Sequence, residues 1–288
     1  MKYVCAQSAA DALQALLGEN GKALLIAGGS DLMVEMKEGR RKPEALVDVS
    51  FASDMKRIVV MGNELVIGAA VTFAEIAKSP DVKGYFPSLC YAAGRMGSPQ
   101  IRNLATLGGN VVSAQPAADG AIALTPLDPR FVVLSAAGAR TLPISELYAG
   151  IGRSALDPSR EIVKEIRIPL PAADEAASFI RLELRRTLSL PILNVAAMLK
   201  CSGGKVQWAR IAMGPVGPGP TRATEAEGYL VGKTLTKANA AKAGDLALLD
   251  AKPRSNPLRG SKEYREQVLP VLVRRAIEDI AGQLGTAI

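Results

Sequence analysis

Apolar residues Leu13, Leu16 and Leu17 recur at helical spacing behind Ser8 and Asp11, predicting a helix over residues 9–18 opened by a capping box. The next apolar run, Ala23-Leu24-Leu25-Ile26, reads as a short buried strand that Gly28-Gly29 breaks. Ser30 is then expected to cap a helix through Leu32, Met33 and Met36. Strands follow at residues 46–49 and 64–67, and Thr72 with Glu75 caps a helix behind the second. A helix-like segment over residues 89–95 leads into a long polar, glycine-containing loop reaching Gln115. Residues 131–135 and 139–142 form a hairpin pattern about Gly138, and residues 161–168 a strand ending at Pro169.

The stretch Ile168-Pro169-Leu170-Pro171-Ala172-Ala173-Asp174 marks a domain boundary. Beyond it the strands lengthen, at residues 179–186, 194–201 and 206–213, the last two joined through Ser202-Gly203-Gly204. Helices are expected near residues 225–230 and 237–249. A final helix over residues 262–283 carries Val268, Leu272, Ala276 and Ile280 on one stripe, with Pro270 as a kink. This order describes an α+β chain. Two mixed lobes, about residues 1–55 and 56–172, precede a separate domain over residues 173–288.

Composition narrows the chemistry. The 288 residues, 48% of them hydrophobic and 22% charged, suffice for a sizeable core and argue against disorder. No apolar run approaches the roughly 18 residues of a membrane span, and the opening residues lack a signal-peptide core, so a cytoplasmic protein is expected. A net charge of +7 suits phosphorylated ligands, nucleic acid or acidic partner surfaces. Nucleic acid is disfavoured, since Lys and Arg are scattered and aromatics are only 4%. The chain contains no histidine, which removes His-based triads, general bases and metal ligands. Cys5, Cys90 and Cys201 are too dispersed for a metal or iron–sulfur motif and read as small hydrophobes in a reducing compartment. Any redox role therefore falls to a bound organic cofactor.

Two segments could hold one: Ala27-Gly28-Gly29-Ser30-Asp31 and Thr106-Leu107-Gly108-Gly109-Asn110. Glycine admits positive φ and close ligand approach, and successive backbone N–H groups can converge on one anion. Either pair alone reads first as a plain turn. Neither matches the dinucleotide fingerprint G-x-G-x-x-G or the lysine-bearing P-loop. The second pair, however, lies in a polar string from Ser98 to Asp119 that a turn does not require. Its Ser, Asn, Gln and Asp side chains could hydrogen-bond ribityl and ribose hydroxyls, Asp119 among them.

Together the two segments resemble the flavin-diphosphate loops of the FAD-binding medium subunit of carbon monoxide dehydrogenase and xanthine dehydrogenase-type molybdenum hydroxylases. The resemblance extends through Ile67-Gly68-Ala69 with Thr72, the string 101–119, and Glu161-Ile162-Val163 before Ile168-Pro169. It continues in Arg185-Arg186, Asn194-Val195-Ala196-Ala197, Arg222-Ala223 with Glu225, and Tyr264-Arg265 with Arg274-Arg275-Ala276. It implies a two-lobed FAD-binding fold of the vanillyl-alcohol-oxidase (PCMH) type, then a CO dehydrogenase flavoprotein-type C-terminal domain. It also implies a heterotrimer, single or doubled. A molybdopterin-containing large subunit and a [2Fe-2S] small subunit would feed electrons to FAD, and thence to an external acceptor. By position, Ala27, Gly28, Gly29, Ser30 and Asp31, with Thr106, Gly108, Gly109 and Asn110, match the diphosphate contacts. Ser113 and Asp119 match the ribityl and ribose region, and Met96 and Val163 the adenine or ring packing. Arg181 falls where relatives often carry a Lys near the flavin ring.

Some positions depart from that pattern. Ser30 stands for the commoner Thr, Gln115 for a small residue, and Leu190-Pro191 for an acidic-to-alanine pattern beside the ring. The four-cysteine insertion of the benzoyl-CoA reductase branch is absent. A free-standing FAD-dependent reductase or oxidase of the same fold is the alternative, but no convincing proton donor stands beside the loops. Arg102 is read as a structural or solvated arginine before a diphosphate partner. Tyr148 reads as a packing aromatic, Trp208 as core or subunit interface, and Arg274 and Arg275 as a solvated helix face.

Overall fold

In the computed structural model, residues 1–185 and 188–286 are described. The first lobe is a parallel sheet in which Ala45–Asp48 lies between Lys2–Cys5 and Ala23–Ile26. All four residues of that central strand are buried, as a strand covered on both faces requires. A parallel pair needs a crossover, and the helix Ala9–Gly18 supplies it, burying Ala9, Ala12 and Leu16. Ser8 Oγ accepts the Asp11 N–H at 3.1 Å, but the Asp11 carboxylate takes the Gln7 N–H at 2.8 Å, so the expected box closes one residue early. The helix Leu32–Lys37 is capped differently than expected. Its N-cap position is Asp31 in αR geometry, and no side chain, Ser30 included, closes the cap.

The second lobe carries an antiparallel sheet in the order Ile58–Met61, Glu64–Gly68, Ile162–Pro169, Arg130–Ser135, Gly138–Pro143. Its central strand arrives last in sequence, which ties the end of the lobe back into its middle. Helices Phe73–Lys78, Pro80–Tyr85 and Pro87–Arg95 pack on one another, and the last also meets the strand Glu175–Leu182; the first has the full capping box of Thr72 and Glu75. The expected long loop in fact holds two short helices, Pro99–Leu104 and Leu107–Val112, and a third, Asp119–Leu124, follows it. Hydroxyls start the first two: Ser98 accepts the Ile101 N–H at 3.2 Å and Thr106 the Gly109 N–H at 3.1 Å.

The C-terminal part is a meander, Glu175–Leu182, Leu193–Ser202, Lys205–Gly214 and the short Thr221–Arg222. The strand expected to reach residue 186 ends at Leu182, and Arg186 lies outside the described residues. Both faces of this sheet are buried. Val195, Ala197, Leu199, Ile211 and Met213 pack on Leu269, Leu272, Val273, Ala276 and Ile280 of the helix Lys262–Gln283 and its neighbours. Phe179, Ala196, Met198 and Ala212 face the opposite way and join the core of the second lobe. That shared core holds the sheet ends at Arg181, Asn194 and Gly214 against the N-terminal lobes. The architecture is the expected α+β one. Among the described residues no helix is long and apolar enough to cross a membrane.

Candidate functional site

A cleft of about 1250 Å³ runs between the lobes and the C-terminal domain. It is lined by residues 27–31, Thr106, Gly108, Gly109, Asn110, Ser113, Asp119, Val163 and Arg181, with Met96 and Leu190. The fold thus brings every expected cofactor contact to one surface, although more than 150 residues separate the first from the last. Pro191 lies outside the lining.

The first glycine segment leaves the strand Ala23–Ile26 and turns at Gly29, whose φ is +65°. A Cβ on Gly28 would overlap the Leu104 carbonyl and the Ala105 backbone. Gly28 therefore lets this loop lie directly on the chain entering the second. The N–H groups of Gly28, Gly29, Ser30 and Asp31 donate to no protein acceptor among the described residues. Four adjacent donors at a cleft are a cradle for a phosphate. Burial raises the Asp31 pKa, the nearby Ser113 hydroxyl works against the rise, and Glu35 adds to it.

The second glycine segment works otherwise, which corrects the expectation of two equivalent cradles. Its N–H groups are engaged: Leu107 with Val71 O at 3.0 Å, Gly108 with Ala69 O at 3.0 Å, Asn110 with Thr106 O at 3.0 Å. A Cβ on Gly108 would come within 2.6 Å of Ala69, so this glycine serves packing within the lobe. Gly109 differs, because Thr106 Oγ1 at 2.9 Å is the only atom a Cβ would meet within 4 Å. Its open side belongs to the cleft. Asn110 Oδ1 accepts the Ala121 N–H at 3.2 Å and holds the start of Asp119–Leu124, while Ser113 Oγ donates to Asn110 O at 3.0 Å.

Asp119 and Arg181 meet each other. Arg181 Nε and a terminal nitrogen donate to the two Asp119 oxygens at 3.0 and 3.2 Å, and Asn194 Nδ2 donates to Oδ1 at 2.9 Å. Arg181 also pairs with Glu183, which pairs with Arg95, and donates to Ser189 O at 2.5 Å. Burial pushes the Asp119 pKa up, and Arg181 and Asn194 pull against it. The sequence reading gave Asp119 to ribose hydroxyls and Arg181 to the ring. The structure commits both first to a buried bidentate pair that organises the cleft floor.

Sequence reasoning missed Lys252, Arg254 and Arg259, which line the cleft from the C-terminal domain beside Arg265 of the Tyr264-Arg265 pair. The three follow no motif spacing, and only the fold brings them to the cleft. Arg102 holds the Met96 and Gly97 carbonyls at 2.9 and 3.4 Å, the structural role expected. Trp208 packs against the shared core under the Arg210 guanidinium, 4.5 Å from its ring centroid. The Tyr148 hydroxyl is buried without a partner, and burial raises its pKa. Among the described residues no group of three or more His, Cys, Asp and Glu could hold a metal ion.

A two-lobed α+β module with free backbone donors on a long cleft defines a protein that binds a diphosphate-bearing nucleotide. Comparison with known families gives the finer class. Residues 1–171 match the FAD binding domain in molybdopterin dehydrogenase, and residues 179–280 the CO dehydrogenase flavoprotein C-terminal domain. The chain is 31% identical to the carbon monoxide dehydrogenase medium chain of Hydrogenophaga pseudoflava over 96% of its length and 95% of the relative's. It is 35% identical to the nicotinate dehydrogenase FAD-subunit of Eubacterium barkeri, over 74% of this chain and 73% of that one. The solved carbon monoxide dehydrogenase of Hydrogenophaga pseudoflava superimposes with a TM-score of 0.92 at 30% identity, covering 98% of both chains. The chain belongs to the FAD-binding subunits of the molybdenum hydroxylase family; its cofactor is FAD, and it is an oxidoreductase subunit.

Proposed function

We propose that this chain is the electron-transfer subunit of a multisubunit molybdenum hydroxylase or dehydrogenase, passing electrons from [2Fe-2S] centres to an external acceptor. Substrate oxidation then resides on a molybdopterin-containing large subunit. The [2Fe-2S] centres belong to a small subunit, and the three assemble in the cytoplasm as a heterotrimer, single or doubled. Within the chain, residues 1–172 form the FAD-binding domain and residues 173–288 the domain that closes the cleft.

The residues fit the group. The N–H donors of residues 28–31 hold the diphosphate, with Gly109 leaving room opposite them and Ala27 and Thr106 shaping the approach. Gly108 and Asn110 hold the second segment in place. Ser113 and the Asp119 region orient the ribityl chain, Val163 and Met96 pack the flat ends, and Arg181 sets the floor. When bound, FAD supplies the redox chemistry itself. One observation carries the relay reading: the buried carboxylate at the cleft, Asp119, is committed to Arg181 and Asn194, leaving it no role as a free acid or base toward a substrate. The names of the relatives, a medium chain and an FAD-subunit, support an assembly with partners.

The test is turnover. The isolated, flavin-loaded chain reduced by dithionite should pass electrons to a dye, yet oxidise no aldehyde, purine or N-heterocycle. Substrate oxidation by the isolated chain would overturn the relay and favour a self-contained reductase or oxidase.

A further inference from the structure

Positive charge gathers at the C-terminal-domain end of the cleft, and the FAD reading makes no use of it. Arg265 stands in the first turn of the helix Lys262–Gln283 and is only 4% exposed. Two of its nitrogens donate to main-chain carbonyls, Pro215 O at 3.2 Å and Arg259 O at 3.4 Å, and its Nε has no partner. A buried guanidinium ordinarily faces a carboxylate. Among the described residues no carboxylate forms an ion pair with Arg265, Arg259, Arg254 or Lys252. Burial, then the nearby charges of Arg259 and Arg254, hold Arg265 below the ordinary arginine range. The helix N-terminus adds further positive potential where a cation is already disfavoured.

We propose that Arg254, Arg259 and Arg265 form an oxyanion site on the C-terminal domain that takes the phosphate of a second ligand while FAD occupies the same cleft. Guanidinium forks match phosphate oxygens in pairs, and a phosphate supplies the missing countercharge. Exposure is graded to suit entry from solvent, from exposed Arg254 through half-buried Arg259 to buried Arg265. A solvated basic face would explain Arg254 but not Arg265. A purely structural Arg265 would explain its two carbonyl bonds but not two more arginines gathered on it. The proposal goes beyond the FAD reading and uses no residue of the glycine segments.

The test uses the full chain, FAD-loaded and flavin-stripped, with inorganic phosphate and pyrophosphate as probes against chloride at matched ionic strength. Calorimetric titration and the thermal midpoint are the readouts. In the FAD-loaded protein the first glycine segment is already filled, so pyrophosphate binding there reports the arginine site. The double variant Arg254→Ala with Arg259→Ala should keep its flavin content yet bind pyrophosphate roughly tenfold more weakly or worse. Arg265→Lys, which keeps the charge but loses the fork, should weaken it as well. Three results would each overturn the proposal: no preference for pyrophosphate over chloride, equal binding by the double variant, or an effect confined to flavin-stripped protein. Failure of the FAD reading would show separately, as absent flavin absorbance, and the comparison of variants would still stand.

Discussion

At the residue scale, the two glycine pairs look alike in sequence and do different work. Gly28 and Gly108 face protein, where a Cβ would strike the Leu104 backbone or Ala69. Gly109 faces the cleft. Gly28→Ala should therefore destabilise the fold by at least the about 1–3 kcal/mol of overpacking, and lose flavin because the loop moves. Gly109→Ala sets a Cβ against the capping Thr106 hydroxyl at 2.9 Å, so it should cost at most the about 1 kcal/mol of a cap and lower FAD affinity by roughly tenfold, about 1.4 kcal/mol. Gly228→Ala is the control: it sits exposed on a helix with nothing within 4 Å of a Cβ, and should stabilise by about 1 kcal/mol without touching flavin content. Bound-flavin absorbance after gel filtration, with melts alongside, separates these outcomes. Full flavin content in Gly109→Ala would return that glycine to a mere turn. The pairs were legible because glycine beside polar residues is a local signal. The asymmetry between them was not, since it depends on Ala69 and Leu104, which only the fold brings near.

At the element scale, the strand Ile162–Pro169 binds the second lobe together through Glu165. This carboxylate is 2% exposed at the middle of the sheet, with Arg167 at 2.7 Å and Arg57 at 3.0 Å. Burial raises its pKa, but the hydrogen bonds and charges of Arg167 and Arg57 prevail and hold it below the ordinary value. The sign follows. Because the folded pKa is depressed, the contribution is complete above the unfolded value of about 4.3 and is lost as pH falls through the folded one. Glu165→Gln should thus lower stability near neutrality by about 1–3 kcal/mol and flatten the acid limb of a urea-midpoint-against-pH curve. An unchanged acid limb would remove Glu165 from that role. The elements themselves were legible in proportion to their burial pattern. The hairpin about Gly138 and the helix Lys262–Gln283 stood where apolar spacing put them. Lys2–Cys5 and Ile58–Met61 escaped notice because they are edge strands with largely exposed or half-exposed residues. The short helices of residues 99–112 escaped because six-residue helices gain their stability from packing and hydroxyl caps rather than from any apolar period.

At the scale of the whole molecule, the sheet Glu175–Arg222 is buried on both faces, and a run of apolar side chains stands exposed where it meets the cleft. There Leu184, Leu188 and Leu190 are 66%, 60% and 56% exposed, on a segment that Arg181 and Arg185 pin through the Ser189 and Leu188 carbonyls. Leu188 and Leu190 line the cleft, whereas Leu184 stands outside it and suits a surface that a partner covers. A net charge of +7 favours acidic partner faces, through faster and better-oriented encounter. The chain expressed alone should consequently self-associate, and co-expression with the molybdopterin and [2Fe-2S] subunits should convert it to a complex of defined mass. Leu184→Ser should reduce self-association of the isolated chain while leaving its flavin content intact, since Leu184 lies outside the cleft lining. Raising salt should slow assembly of the complex by screening charge over about 8–10 Å, and it should strengthen rather than dissolve the apolar self-association. Light scattering of the isolated chain and native mass measurement of the co-expressed one are the checks. A flavin-loaded chain that stays monomeric at high concentration and takes up neither partner would sink this prediction, and with it the assembly on which the relay depends.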